Sequence, residues 1–365
     1  MSMKPIYLVG THRDVGKTTM SIGLAHAFRQ RGLDVGYLKP LGQRVKGAEG
    51  HVIHDDAHLV STCLGRPDIT QEDMAIPLPS GRVEQEIQDL HSDELLQRVM
   101  DSYNALAARH DVVIVEAMGN VAMGSCLGLS AADVARNIGA AALLIALGGI
   151  GQTIDYVALC STFLAARKAE LMGVVVNKVW PEKYDRIKSA TTLGLKNLGI
   201  RTFGTIPFDK SLASPTMEQV HAVVGGKIIA GAGQMCNRVH NAIVAAMDPE
   251  HMILHLKEKT LVIAPGDRDE NIVACLNAHS SAEQEFSLAG MILTGGYRPS
   301  QGTMRSIEAI NVPVVLCNED TYTVASVYGD TVFKIRPEDT ERIEAAYRVV
   351  SENVDVEAII SRLGG

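Results

Sequence analysis

The sequence predicts an α/β protein: a doubly wound parallel sheet at the N-terminus, followed by a second, smaller α/β domain. Three observations point there. Apolar runs such as Val112-Val113-Ile114-Val115 are hydrophobic throughout and alternate with helix-period segments, the pattern of parallel strands covered on both faces. The first run, Ile6-Tyr7-Leu8-Val9, passes through a glycine-bounded turn into a helix-period segment, a strand–loop–helix unit. A length of 365 residues exceeds what one hydrophobic core serves.

Taken in order, Thr18 to Arg31 carries Met20, Ile22, Leu24, Ala25, Ala27 and Phe28 at mostly helical spacing and stops at Gly32. A strand follows at Val35 to Lys39, a polar loop at Gly42 to Gly50, a helix at Asp55 to Leu64, and a loop with Pro77 and Pro79 at Ile69 to Ile87. Leu95 to Arg109 is amphipathic, and Asp111 to Glu116 is a strand that delivers a carboxylate at its carboxyl end, where open parallel sheets hold ligands. Ser130 caps a helix through Arg136; Ala140 to Leu147, Gly173 to Asn177 and Phe203 to Pro207 are strands; Thr153 to Lys168 and Tyr184 to Leu198 are helices. Ser214-Pro215 through Val224 reads as a helix. Gly225-Gly226 and Gly231-Ala232-Gly233 mark a boundary, which gives domains 1–224 and 225–365. Alternation resumes with strands at Thr260 to Ala264, Gly290 to Thr294 and Val312 to Cys317, and helices at Glu270 to Asn277, Gln301 to Ile310, Tyr322 to Val327 and Pro337 to Glu352.

Composition removes several classes of function. A formal net charge of −8 and the lack of any Lys/Arg run speak against a nucleic-acid partner. The longest apolar stretch, Ala140 to Leu147, is strand-sized, so no membrane span is expected. The N-terminal apolar run is too short for a signal peptide. Six scattered cysteines without a Cys-x-x-Cys pair read as thiols in a reducing cytoplasm.

Gly10-Thr11-His12-Arg13-Asp14-Val15-Gly16-Lys17-Thr18-Thr19 is the stretch that carries chemistry. A Gly-Lys-Thr turn between a strand and a helix presents backbone N–H groups and a helix N-terminus to phosphates. Lys17 meets the β- and γ-phosphates and the Thr18 hydroxyl ligates Mg²⁺, so the expected cofactors are ATP and Mg²⁺. The nucleotide-binding set is Gly10, Thr11, His12, Asp14, Val15, Gly16, Lys17, Thr18 and Thr19. The loop is one residue longer than the standard form, and His12 inside it is placed to touch a phosphate or a substrate. His51, His54 and His58 surround Asp55-Asp56, with a four-residue step from His54 to His58 that His251 and His255 repeat; lacking a third fixed ligand, both groups read as surface histidines, the first beside a nucleotide pocket. In the second half, Gly266-Asp267-Arg268-Asp269 and Thr294-Gly295-Gly296 are either a ligand-binding crevice or tight βα turns with an Asp cap.

These residues resemble a family. The phosphate loop with Tyr37-Leu38-Lys39-Pro40, Val115-Glu116 and Asn177-Lys178-Val179 is similar to dethiobiotin synthetase. More of the chain resembles the N-terminal region of the long bacterial phosphate acetyltransferases, where a synthetase-like domain precedes a DRTGG domain. Asp55-Asp56-Ala57, Gly124-Ser125, Ile206-Pro207, Ser214-Pro215-Thr216, Leu293-Thr294-Gly295-Gly296 and Asp320-Thr321-Tyr322 match that pattern. The resemblance implies Asp56, with Asp55 as the alternative, and Glu116 as carboxylates beside Mg²⁺, Asn177 on the adenine edge, and Lys17, Lys39 and Asp14 as the catalytic set if the protein is an enzyme. It departs after Lys39, at Leu41-Gly42-Gln43-Arg44, and after Glu116, at Ala117-Met118-Gly119-Asn120. Both lie where a synthetase would hold its second substrate, and no acetyltransferase domain follows before Gly365. The expectation is a cytoplasmic, homo-oligomeric nucleotide-sensing protein or ATPase. Its second domain would take a small-molecule effector, and its partner would be a separate acetyltransferase or kinase. The alternative is an ATP-dependent ligase or carboxylase of the dethiobiotin synthetase type, acting on a small substrate that the sequence does not identify.

Overall fold

Strand Ile6–Gly10 is buried along its whole length and lies in the middle of a seven-stranded sheet in the computed structural model of the protein. The structure describes residues 3–43, 45–46, 53–66, 74–79, 81–281 and 286–364. Most of the 42–50 loop, His51 and the start of the expected 69–87 loop fall outside these residues.

The sheet order is Met74–Pro77, Val35–Gly42, Val112–Asn120, Ile6–Gly10, Ala141–Leu147, Glu170–Val179, Thr202–Pro207. Every pairing is parallel, as the continuous apolar runs require. The chain starts at the centre, winds to one side, returns as Val112–Asn120 and winds to the other. That reversal opens a crevice at the carboxyl ends beside Ile6–Gly10, the place where such sheets bind ligands. Helix Lys17–Arg29 covers one face with Ile22, Leu24 and Phe28 fully buried, each contributing roughly 1.5–3 kcal/mol. On another helix, Ala131–Asn137, Ser130 and Asp133 form a reciprocal capping box.

The chain divides into two compact units, Met1–Asp209 with Ile335–Gly365, and Lys210–Lys334. This differs from the expected division at 224/225. Helix Met217–Val224 belongs to the second unit, because Met217 and Val220 pack with Leu261, Ile263 and Ile292. Helix Thr340–Asn353, assigned from sequence to the second domain, returns to the first: Tyr347 stacks on His26 with centroids 3.9 Å apart. Gly23 permits the approach, since a Cβ there would run into Val350.

The second unit has a five-stranded sheet ordered Lys227–Ala230, Val314–Leu316, Leu288–Thr294, Thr260–Pro265, Asn241–Val244. The first of these is antiparallel to its neighbour and the rest are parallel. Both edge strands were absent from the sequence reading, because glycines flank one and each has only four residues. Strand Met74–Pro77 and helix Arg82–Gln88 likewise replace part of the expected loop. Among the described residues, no helix is long and apolar enough to cross a membrane.

Candidate functional site

The loop after Ile6–Gly10 is shaped by backbone geometry that few residues tolerate. Gly16 caps helix Lys17–Arg29 at φ 98°, in the left-handed region open to glycine, and a Cβ there would collide with the Asn177 amide. Asp14, exposed at the rim, is also left-handed at φ 52°. Thr11 N–H donates to the Ile145 carbonyl at 2.9 Å and ties the loop's start to the next strand.

Two consecutive residues at the carboxyl end of Glu170–Val179 strap the loop down. Asn177 Nδ2 donates to the Val15 carbonyl at 2.8 Å, while its oxygen accepts the Lys178 N–H at 2.8 Å. Lys178 Nζ donates to the Asp14 carbonyl at 2.7 Å. His12 turns to the side: Nδ1 lies 3.0 Å from Thr11 Oγ1, and the ring meets Tyr156 edge-on with centroids 4.3 Å apart.

Lys17, the first helical residue, is buried. Burial pushes its pKa down to about 8, with Lys39 adding to the effect and the Glu116, Asp14 and Asp56 charges opposing it. It forms no ion pair among the described residues. An ammonium under these conditions, at a helix N-terminus, suits an incoming anion.

Beside it lies a buried polar network centred on Glu116. Its Oε1 accepts from Thr18 Oγ1 at 2.9 Å and Lys39 Nζ at 2.8 Å. Its Oε2 accepts from Ser21 Oγ at 2.7 Å and Tyr37 Oη at 3.1 Å. Lys39 Nζ also donates to Asp56 Oδ2 at 3.0 Å. The Asp56 N–H donates to His54 Nδ1 at 3.1 Å, so His54 caps the helix that begins at Asp55. Burial, and the Asp56 charge, raise the Glu116 pKa, but the Lys39 ammonium and the hydrogen bonds from Lys39 and Ser21 outweigh them and hold the carboxyl below its usual value. For Lys39, burial would favour the neutral amine, and the adjacent Asp56 and Glu116 charges overcome it and raise the pKa.

The sequence-predicted residues Thr18, Lys39, Asp56 and Glu116 therefore meet in one network, and Lys17 feels the charges of Glu116, Lys39 and Asp56 without bonding to them. Thr18, Asp56 and Glu116 offer only oxygen, the donor type a hard divalent cation takes; Asp56 and Glu116 flank the Lys39 ammonium and Thr18 bonds to Glu116. Mg²⁺ fits this donor set in kind. Among the described residues no group of three or more His, Cys, Asp or Glu could hold a metal, so phosphate oxygens and water would complete the shell. Ser21, Tyr37, His54 and Lys178 were not singled out from sequence as site residues. Ser21 was detectable, since it lies one helical turn after Lys17; Lys178 adjoins the chosen Asn177. The contact of Tyr37 depends on tertiary packing; His54, read from sequence as a surface histidine, is buried and caps its helix locally.

In the second unit, Gly266 N–H donates to the Thr294 carbonyl at 3.0 Å, and Thr294 Oγ1 lies 2.6 Å from Thr321 Oγ1. Gly295 N–H and Gly296 N–H are taken by the Glu319 and Cys317 carbonyls at 2.8 Å each. Asp320 accepts from Tyr322 and Thr323 N–H as a helix cap. These turns satisfy one another's backbone groups, as tight βα turns do.

Among curated proteins, the phosphate acetyltransferase of Pseudomonas putida is 26% identical over 377 residues, covering 99% of this chain and 52% of that protein. The phosphate acetyltransferase of Synechocystis sp. is 24% identical over 374 residues, covering 98% and 51%. The chain thus spans about half the length of the curated relatives it matches. Among solved structures, the MinC:MinD cell division protein complex of Aquifex aeolicus gives a TM-score of 0.38 at 15% identity, covering 57% of this chain and 83% of that one. A DRTGG domain is matched over residues 219–329. Residues 4–216 match the AAA domain, more than half of the chain, and the protein belongs to that phosphate-loop family, with a DRTGG domain following.

Proposed function

We propose that the first unit binds Mg-ATP at the Gly10–Thr19 loop and that the protein is a nucleotide-sensing regulatory protein or ATPase. The observation that carries this reading is Lys17: a buried ammonium, without an ion-pair partner among the described residues, at the helix end of a strapped glycine loop. Bound Mg²⁺ would neutralise charge on the β- and γ-phosphate oxygens. Thr18, Asp56 and Glu116 are the residues that would hold it. Two of the three N–H donors of the Lys39 ammonium are taken by Asp56 and Glu116, so it would position those carboxylates for the metal. The match to phosphate acetyltransferases supports an origin shared with those enzymes, and by that relation an acetyltransferase or kinase is the partner we propose. The second unit would take a small-molecule effector.

The test is ATP binding and hydrolysis by the full chain and by Lys17→Ala, with and without a panel of diamines and small carboxylates. Binding that is lost in the variant, with no turnover stimulated by the panel, is the expected result. Substrate-stimulated turnover would move the assignment to a ligase, and absence of binding in the unaltered chain would overturn the nucleotide reading.

A further inference from the structure

Trp180, the only tryptophan in the chain, is 53% exposed. It directly follows strand Glu170–Val179. Its indole packs against Phe208, which directly follows the adjacent strand Thr202–Pro207, with centroids 4.7 Å apart and planes tilted by 38°. Phe208 N–H donates to the Val179 carbonyl at 2.7 Å, and Val179 and Pro207 are in register. The pair is therefore built on two strand ends of the rigid sheet. Both strands are parallel to Ile6–Gly10, so the rings stand at the same carboxyl edge as the phosphate loop.

The two features are continuous. Asn177 and Lys178 hold the loop at Val15 and Asp14, and Trp180 comes two residues later, on the order of 7 Å along an extended chain. A phosphate chain seated on Lys17 carries its ribose and base outward past the loop rim. Asn177 commits an amide hydrogen to Val15 and its oxygen to Lys178 N–H, which makes it a strap for the loop. An exposed aromatic face reads a base by stacking, which tolerates different bases because each has a π-face.

On the phosphate-loop reading above, we propose that Trp180 and Phe208 form the platform on which the nucleotide base stacks, so that the base is held by its face. ATP and GTP then bind with similar affinity.

Trp180 is its own reporter. ATP, GTP and inorganic tripolyphosphate are titrated into the full chain, with tryptophan emission and calorimetric affinity recorded for the unaltered protein, Trp180→Ala and Phe208→Ala. The expected result is saturable quenching by both nucleotides and none by tripolyphosphate. Trp180→Ala should lose roughly tenfold or more in ATP affinity while its tripolyphosphate affinity stays unchanged; Phe208→Ala should weaken the quenching. ATP binding with unchanged emission and unchanged affinity in Trp180→Ala overturns the platform and leaves the loop assignment standing. Strong preference for one purine nucleotide over the other overturns face recognition. If neither ATP nor tripolyphosphate binds, the loop reading fails and the platform fails with it.

Discussion

The Lys178 ammonium donates to the Asp14 carbonyl at 2.7 Å, and both residues adopt the left-handed backbone region, at φ 60° and 52°. Neither is glycine, so each conformation costs on the order of 1 kcal/mol or more. Such strain persists where surrounding contacts over-determine it, and here the contact is between the two strained residues themselves.

Removing the strap should loosen the loop without unfolding the sheet. Lys178→Ala deletes a charge-assisted hydrogen bond of about 1.5–3 kcal/mol. ATP affinity measured by calorimetry is expected to fall about tenfold, and the thermal midpoint to drop by a few degrees. An unchanged affinity would show that Asn177 alone holds the loop.

Gly16→Ala tests the other side of the strap. The new Cβ meets the Asn177 amide at a left-handed position, a strain of roughly 1–3 kcal/mol. Urea unfolding should report a loss of that size, and ATP affinity should drop by about tenfold or more.

Lys17 gives a pH dependence with two opposite signs. Its pKa of about 8 in the folded chain, against an ordinary 10.5, means that the unfolded chain holds more protons between those values. Stability without ligand therefore rises with pH across that window. Phosphate binding needs the ammonium, so tripolyphosphate affinity is flat below pH about 8 and falls above it, by up to about tenfold per pH unit. Lys17→Met should remove both trends, measured by denaturant titration and calorimetry between about pH 6.5 and 10.

Lys39 is buried between Asp56 and Glu116. Lys39→Met leaves Asp56 and Glu116 buried without their shared counter-ion, a loss of about 3–5 kcal/mol. Adding Glu116→Gln should recover part of it. A double-mutant cycle with strictly additive effects would show that the pair is not coupled.

The doubly wound sheet was legible because fully buried parallel strands must be apolar along their length, as Val112–Val115 and Ala141–Ile145 are. Gly16-Lys17-Thr18 was legible because phosphate binding constrains local backbone and residue type together. Edge strands such as Asn241–Val244 were not, since half-exposed four-residue segments carry little periodicity. The role of Lys39 was only partly readable: the resemblance put it in a catalytic set, but its engagement by Asp56 and Glu116 depends on strands Val35–Gly42 and Val112–Asn120 lying side by side. Nor does any local signal in Thr340–Asn353 say which core its apolar face will join.

That return of helix Thr340–Asn353 to the helix of the phosphate loop sets an order of assembly. Residues 210–334, which form the second unit, leave the ribosome before the partner that His26 and Gly23 await. The later-encoded unit can thus be finished while the earlier one still exposes part of its surface, reversing the usual N-terminal-first sequence. A nascent chain halted within residues 210–334 would hold the whole phosphate-loop motif and yet lack the helix that buttresses it.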